Sequence, residues 1–102
     1  MVRVVEELAV LTVTENAVEA IRDLMVGESL PEWAGLRIAA KRDETNALEF
    51  SLVSTASSGD EVVEKADVRV FVEPEAVAIV GDKVLDAKPD AEGRRTFRLV
   101  RP

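Results

Sequence analysis

The chain has 102 residues, of which 47% are hydrophobic and 32% charged, and its formal net charge is −7. This length and balance predict one soluble globular domain over residues 1–102. The negative charge disfavours nucleic acid as a partner, since phosphate backbones would be repelled. No apolar run in the sequence is long enough to span a membrane.

Three residue types that carry much of protein chemistry are absent: the sequence contains no cysteine, histidine or tyrosine. Thiolates and imidazoles are the usual ligands of zinc, haem iron and iron–sulfur clusters, so we expect no cofactor held by these groups. Cysteine nucleophiles and Ser–His–Asp triads are excluded as well. Only carboxylates and lysines remain for acid–base work, and we therefore expect that the protein is not an enzyme. Glu6 and Glu7 interrupt the apolar start of the chain, which argues against a signal peptide and favours a cytoplasmic location.

The first elements in chain order are a strand and a helix. LAVLTVT predicts a strand that ends at Thr12 or Val13. Thr14 is a suitable N-cap, because its hydroxyl can accept a hydrogen bond from a free amide of the first helical turn. ENAVEAIRDLM places apolar residues along one side and charged residues along the other, as in an amphipathic helix. We expect Gly27 to end this helix in the left-handed conformation.

The rest of the chain predicts mainly strands. Residues 36–53 form a β-hairpin with the polar tip RDETN, and STASSGDE is a polar loop. ADVRVFV predicts a strand whose two faces are both partly covered, since Phe71 lies opposite the valines. EPEAVAIVG begins with a proline and ends with a glycine, as a short buried helix would. DKVLDAK, PDAEG and RRTFRLVRP predict a final hairpin with Phe97 and Leu99 directed inward. The pattern indicates an α+β domain with one long N-terminal helix, one short buried helix and a small mixed or mainly antiparallel sheet.

The hairpin tip is the first candidate site. Asp43, Glu44, Thr45 and Asn46 carry the oxygen donors that a hard cation such as Ca²⁺ prefers. The tip lacks the alternate acids and the central glycine of an EF-hand loop. Asp, Thr and Asn are also common in plain turns, and we favour that interpretation. Asp43 and Glu44 are the metal-ligand candidates if a metal binds.

Two further features allow a functional and a structural interpretation. Trp33 lies in the loop between Pro31 and Gly35, where it could anchor a protein partner. Such a tryptophan more often folds its loop onto the core, which is the interpretation we favour. Glu73 and Glu75 could act as a carboxylate pair in acid–base catalysis. Acids near a helix start are also explained by the helix dipole, and we prefer this explanation.

Positive charge is concentrated in the last strand, at Arg94, Arg95, Arg98 and Arg101. A phosphate or nucleic-acid site would need such a patch. A strand face whose arginines pair with neighbouring acids explains it without a ligand, and we favour that explanation. The SSGD segment lacks the glycine spacing and the Lys-Ser/Thr pair of a phosphate loop.

In this order, the elements resemble the HesB/IscA family, the A-type iron–sulfur cluster carriers, over nearly the whole chain from Leu11. LTVTENAVEAIRDLM resembles the family's opening strand and helix, and GLRIAA and ALEFSLV resemble its next two strands. VRVFVEPEAVAIVGDKVLDA is similar to its run of strand, short helix and strand. EGRRTFRLVRP resembles the closing strand, where the family has Phe, a spacer, an aliphatic residue, a spacer, Asn and Pro. Phe97, Leu99 and Pro102 match this pattern, whereas Arg101 stands in place of Asn.

The resemblance also implies where a metal site would lie. Family members hold iron or a cluster with three cysteines, one in the loop after the GLRIAA strand and a Cys-x-Cys pair after the closing strand. Here the first loop is the shortened KRDETN without cysteine, and the sequence given ends at Pro102, before the pair. No family ligand therefore matches a residue of this sequence, and carboxylates such as Asp43 and Glu44 are poor replacements for thiolates on a cluster.

Two functional interpretations follow from this resemblance. The first is a divergent, cysteine-less member that no longer ligates a cluster and persists as an interaction or accessory module. The alternative is a metal-handling protein, for iron or Ca²⁺, that uses carboxylates or ligands supplied by a partner. The family often assembles into dimers, so the resemblance allows a homodimer, and it leaves a protein partner open without naming one.

Overall fold

The computed structural model describes residues 11–45, 47–81 and 83–101. These residues form two helices and seven strands. The α+β arrangement agrees with the sequence analysis, which predicts both helices and six of the seven strands. The elements are β1 (Thr12–Val13), α1 (Glu15–Gly27), β2 (Gly35–Ala40), β3 (Leu48–Val53), β4 (Glu61–Lys65), β5 (Val68–Val72), α2 (Pro74–Val80), β6 (Val84–Pro89) and β7 (Arg95–Val100). The part of the predicted first strand that precedes Leu11 lies outside the described residues.

The strands form two mixed sheets. One has the order β1-β6-β7, with β1 parallel and β7 antiparallel to β6. The other has the order β3-β2-β5-β4, with β2 antiparallel to β3 and parallel to β5. The predicted hairpins are confirmed, since β2 pairs with β3 from Gly35↔Val53 to Ala40↔Leu48 and β6 pairs with β7.

The start of α1 is fixed as predicted. The hydroxyl of Thr14 accepts a hydrogen bond from the Ala17 N–H at 3.1 Å, so Thr14 is the N-cap. The same hydroxyl donates to Asp86 Oδ1 at 2.7 Å. This second bond joins the helix start to β6, and it lowers the pKa of the Asp86 carboxyl.

The prediction for the end of α1 is wrong. Gly27 is the last helical residue and does not have a positive φ. The left-handed residue is Ser29, with φ 56°. Its N–H donates to Val26 O at 3.1 Å. The Leu30 N–H donates to Met25 O at 3.0 Å, which completes a Schellman motif with serine at the position that usually holds glycine.

Strand β4 was not predicted, because its sequence EVVEK does not alternate. It lies at the edge of the four-stranded sheet, where most of its side chains are exposed. It pairs with β5 through a two-residue turn at Ala66–Asp67, where Ala66 has φ 56°. An edge strand has one free side, so its pattern is weakly constrained by burial.

The core lies where α1 and the inward faces of the two sheets meet. Its largest fully buried side chains are Ile21, Leu36, Ile38, Leu85, Val68 and Val70. Phe71 points to the opposite face of its sheet and is also buried, with 2% of its surface exposed, which confirms that both faces of β5 are covered. Helix α2 begins at Pro74, ends at Val80 with Gly81 as its C-cap, and buries Ala76 and Val80.

Candidate functional site

The loop between β2 and β3 is short and closed by its own bonds. The Lys41 N–H donates to Ala47 O at 2.9 Å, and the Ala47 N–H donates to Glu44 O at 3.4 Å. Asp43 and Glu44 are exposed, and the Lys41 ammonium lies 3.5 Å from Glu44 Oε1. The formal charges of Lys41 and Arg42 cancel those of the two acids.

The β2–β3 loop provides few ligands for a cation. Among the residues that the structure describes, no three Asp or Glu side chains are grouped to hold a metal ion. Of the other two oxygen donors of the predicted tip, Thr45 is exposed and Asn46 lies outside the described residues. The favoured interpretation of the tip as a plain turn stays a prediction, with Asp43 and Glu44 as the candidate ligands if a metal binds.

The base of the loop is fastened by Glu73. Its Oε1 accepts a hydrogen bond from the Ala40 N–H at 2.9 Å, and its own N–H donates to Ile38 O at 2.9 Å. These bonds tie the carboxyl end of β2 to the start of α2. Glu75, the other member of the predicted pair, is exposed in the first turn of α2. Glu73 thus has a positioning role that neither interpretation of the pair foresaw.

A largely buried ion pair lies beside this base. The Arg37 guanidinium donates to both oxygens of Asp60, at 2.9 and 3.0 Å, and the Asp60 side chain is fully buried. Asp60 Oδ2 also accepts from the Ser57 N–H at 3.0 Å, and Glu73 lies 3.9 Å from Arg37. The hydrogen bonds from Arg37 lower the pKa of Asp60. The SSGD segment is therefore a structural loop that its aspartate holds against the outer face of the sheet.

No family model matches the chain, but individual proteins and structures do. A 70-residue stretch is 37% identical to the Columba livia protein "Iron-sulfur cluster assembly 1 homolog, mitochondrial" and covers 67% of this chain and 52% of that protein. The chain thus spans about half the length of this curated relative, 52%. Escherichia coli SufA, "Involved in Biosynthesis of Iron-sulfur Clusters", has the same fold, with a TM-score of 0.70, 23% identity, and coverage of 90% of this chain and 85% of SufA.

A structure of IscA with the [2Fe-2S] cluster superposes with a TM-score of 0.71 and 19% identity, over 91% of this chain and 86% of IscA. At these identities the two solved structures show the fold, while the relative supplies the sequence relationship. The chain belongs to the HesB/IscA-like family. It is a divergent member without cysteine, related to iron–sulfur cluster assembly proteins, and the predicted family and fold are confirmed.

The preferred interpretation of Trp33 is wrong in this HesB/IscA-like chain. Its side chain is 60% exposed and does not cover the core. The neighbouring Ala34 is fully buried instead, and its N–H donates to Pro31 O at 3.0 Å. This tight turn directs the small residue inward and leaves the indole outside. A role for Trp33 in binding a partner stays a prediction.

The arginines near the C-terminal strand meet acids of the same chain. Arg95 lies 3.0 Å from Asp23, and Arg94 lies close to Asp90 and Glu92 at 3.5 and 3.4 Å. Arg98 stands directly opposite Asp86 in the β6–β7 pairing. The explanation by neighbouring acids therefore agrees with the structure for these three arginines, and Arg101 is exposed.

Neither described helix of the HesB/IscA-like domain has the length and apolar character that a membrane-spanning helix requires.

Proposed function

We propose that this HesB/IscA-like chain does not ligate an iron–sulfur cluster and serves as a non-enzymatic interaction or accessory module related to iron–sulfur assembly. The observation that carries this proposal is the loop after β2, where the family resemblance places a cysteine ligand. In that loop stand Asp43 and Glu44, exposed to solvent and flanked by Lys41 and Arg42. A cytoplasmic location and a homodimer belong to the same proposal.

The chemistry of the loop supports a site that has lost its cluster. Carboxylates are hard donors and poor partners for iron–sulfur clusters. A bound cation would also meet the charges of Lys41 and Arg42, and it would compete with Lys41 for Glu44. The nearby Glu73 oxygen and the Asp60 carboxylate are already engaged, by the Ala40 N–H and by Arg37.

Metal and sulfide analysis tests the proposal. The full chain is purified without oxygen, analysed for iron and acid-labile sulfide, and then titrated anaerobically with Fe²⁺ and separately with Ca²⁺. We expect neither iron nor sulfide, and no saturable binding of either cation. Light scattering of the same preparation gives the oligomeric state.

A pair of double variants identifies the source of any binding that is found. Asp43 and Glu44 are both changed to Ala, and Glu49 and Glu61, two exposed strand acids, are both changed to Ala as the control. Stoichiometric iron or Ca²⁺ that is lost only in the first variant would overturn the proposal. It would establish the alternative, a metal-handling protein with carboxylate ligands.

A further inference from the structure

A groove lies at the end of the four-stranded sheet opposite the β2–β3 loop. Its volume is about 390 Å³, and it is formed by the last turns of α1, the loop that follows, and the turn between β4 and β5. Strands β2 and β5 are parallel and both begin at this end. The groove is therefore separated from the β2–β3 loop by the length of β2, roughly 20 Å at about 3.3 Å per residue. We call it the α1–β5 groove.

The apolar part of the groove includes a large exposed side chain. Val26 lines it and is 74% exposed, and Leu30 lines it beside the nearly buried Met25. Trp33, 60% exposed, does not line the groove itself but directly follows Glu32, which does. Val26 and Trp33 are the two most exposed large hydrophobic residues in the described part of the chain. Apolar side chains at the edge of a concave site are typical of a binding surface.

The walls of the groove are held in place by two arginines. Arg22 donates to both oxygens of Asp67, at 2.6 to 3.2 Å, and so joins α1 to the β4–β5 turn. Arg69 donates to Glu64 at 3.0 Å and to the carbonyl of Glu32 at 2.7 Å, and so joins β5 to the loop after α1. These exposed bonds bridge neighbouring segments of the groove wall.

The charge of the groove favours a cation. Three acids and two arginines line it, so its formal charge is −1: Glu32, Glu64 and Asp67 against Arg22 and Arg69. Both guanidiniums are already bonded to acceptors of the chain. The groove also lies at the C-terminal end of α1, where the helix dipole is negative and the last turn contains no basic residue.

We propose that the α1–β5 groove binds a protein segment in which a large apolar residue is flanked by lysine or arginine. The apolar side chain packs against Val26 and Leu30, next to Trp33. The flanking cations meet Glu32, near the negative end of the α1 dipole. This inference rests on the proposed function, because it names the surface with which an interaction module would bind its partner.

Selection from a random peptide library tests the inference. A library of 12-residue peptides displayed on phage is selected on the immobilised full chain at low salt, and the enriched peptides are synthesised. We expect them to share an apolar residue next to lysine or arginine and to shift Trp33 emission to the blue. Their affinity should fall about tenfold in Val26→Gln and by a smaller factor in Glu32→Gln. Binding should weaken as salt is raised.

Two matched variants control for effects outside the groove. Val62→Gln removes an exposed valine of β4, and Glu61→Gln removes an exposed acid of the same strand, and neither residue lines the groove. Both should bind the selected peptides as the unchanged chain does. The inference is wrong if no peptide is enriched, or if the enriched peptides are acidic or uncharged. It is also wrong if Val26→Gln binds them equally.

Light scattering tests whether a second copy of this chain occupies the groove instead of a partner segment. Self-association that Val26→Gln abolishes would mean that the groove receives a second copy of this chain, and it would overturn the inference. These experiments contain neither iron nor sulfide. A negative peptide result would therefore not affect the metal analysis. Detection of bound metal would likewise not affect the peptide result.

Discussion

The two ends of the four-stranded sheet differ in how their polar groups are satisfied. At the end with the β2–β3 loop, the side chain of Asp60 is fully buried in its bonds to Arg37, and Glu73 accepts a hydrogen bond from the last amide of β2. At the other end, the similar pair of Arg22 and Asp67 is exposed, with 45% and 64% of the side-chain surfaces accessible. The first end is closed by the chain's own contacts, while the second presents a groove.

This difference separates the contacts that support β2 from the tip of the β2–β3 loop. The contacts at the base of the β2–β3 loop join residues of the chain to one another, and the bonds of Glu73 and Asp60 involve no residue of the loop tip. Changes at the tip therefore leave the support of β2 intact. Under the proposal that the chain ligates no cluster, the groove end is the surface at which we look for a partner.

The largest expected effect compares the two arginine–aspartate pairs. Asp60→Ala leaves the largely buried Arg37 guanidinium without its bidentate acceptor, and we expect a loss of about 3 kcal/mol in the free energy of unfolding. Asp67→Ala removes an exposed pair and should change stability far less. Urea denaturation of both variants measures the difference.

Arg37→Ala with Asp60→Ala completes a double-mutant cycle for the buried pair. The loss in the free energy of unfolding should be clearly smaller for the double variant than the sum of the losses for the two single variants. In the double variant neither charged group is left unpaired. If Asp60→Ala and Asp67→Ala lowered the free energy of unfolding equally, the two ends of the sheet would not differ in how strongly their ion pairs stabilise the fold.

The pH dependence of stability tests the same difference between the two ion pairs. Arg37 lowers the pKa of Asp60 below its ordinary value of 3.8. A carboxyl whose pKa is lower in the folded state stabilises the fold fully above the unfolded value, and this contribution is lost as pH falls through the folded pKa. The free energy of unfolding should therefore decrease below about pH 4, and Asp60→Asn should make this decrease shallower.

Salt separates the buried carboxyl from the exposed one. Arg22 also lowers the pKa of Asp67, so Asp67→Asn should reduce the acid sensitivity at low salt. At about 0.5 M NaCl that exposed pair is screened, and only Asp60→Asn should still differ from the unchanged chain. Denaturation curves at several pH values and two salt concentrations give the comparison. An acid limb that is identical in all three proteins would contradict it.

Much of the fold could be predicted from the sequence because it depends on local signals. Thr14 is a capping residue at the place where a charged, amphipathic pattern begins, and Pro74 and Gly81 mark the ends of α2. The two hairpins follow from alternating apolar residues on either side of polar turns. Strand β4 could not be predicted in this way, since an exposed edge strand needs no alternation.

The polar contacts were much harder to predict because they join distant residues. Arg37 and Asp60 are 23 positions apart, and their pairing depends on how the loop after β3 crosses the sheet. One signal was available: an arginine lies between two apolar residues of a strand, where its charge needs a partner. The position of Trp33 depends on which neighbour the turn directs inward, and the small size of Ala34 decides it.

The smallest expected effect concerns the backbone of the groove. Ser29 and Ala66 are the non-glycine residues with positive φ in the described part of the chain, both at 56°, and both line the α1–β5 groove. A side chain in this conformation raises the energy of the folded state, and glycine does not. We therefore expect Ser29→Gly and Ala66→Gly each to raise the free energy of unfolding by about 1 kcal/mol.

Gly93 provides the inverse control, since it has φ 85° and a Cβ there would meet no atom within 4 Å. Gly93→Ala should lower the free energy of unfolding by a similar amount, about 1 kcal/mol, because only the backbone conformation is penalised. Urea denaturation measures all three variants. If Ser29→Gly and Ala66→Gly destabilise the chain while Gly93→Ala behaves as expected, contacts of these two side chains in the groove outweigh their backbone strain. Contacts other than those of Arg22 and Arg69 would then stabilise the groove end. The two ends of the sheet would differ less in their stabilising contacts than the exposed ion pairs suggest.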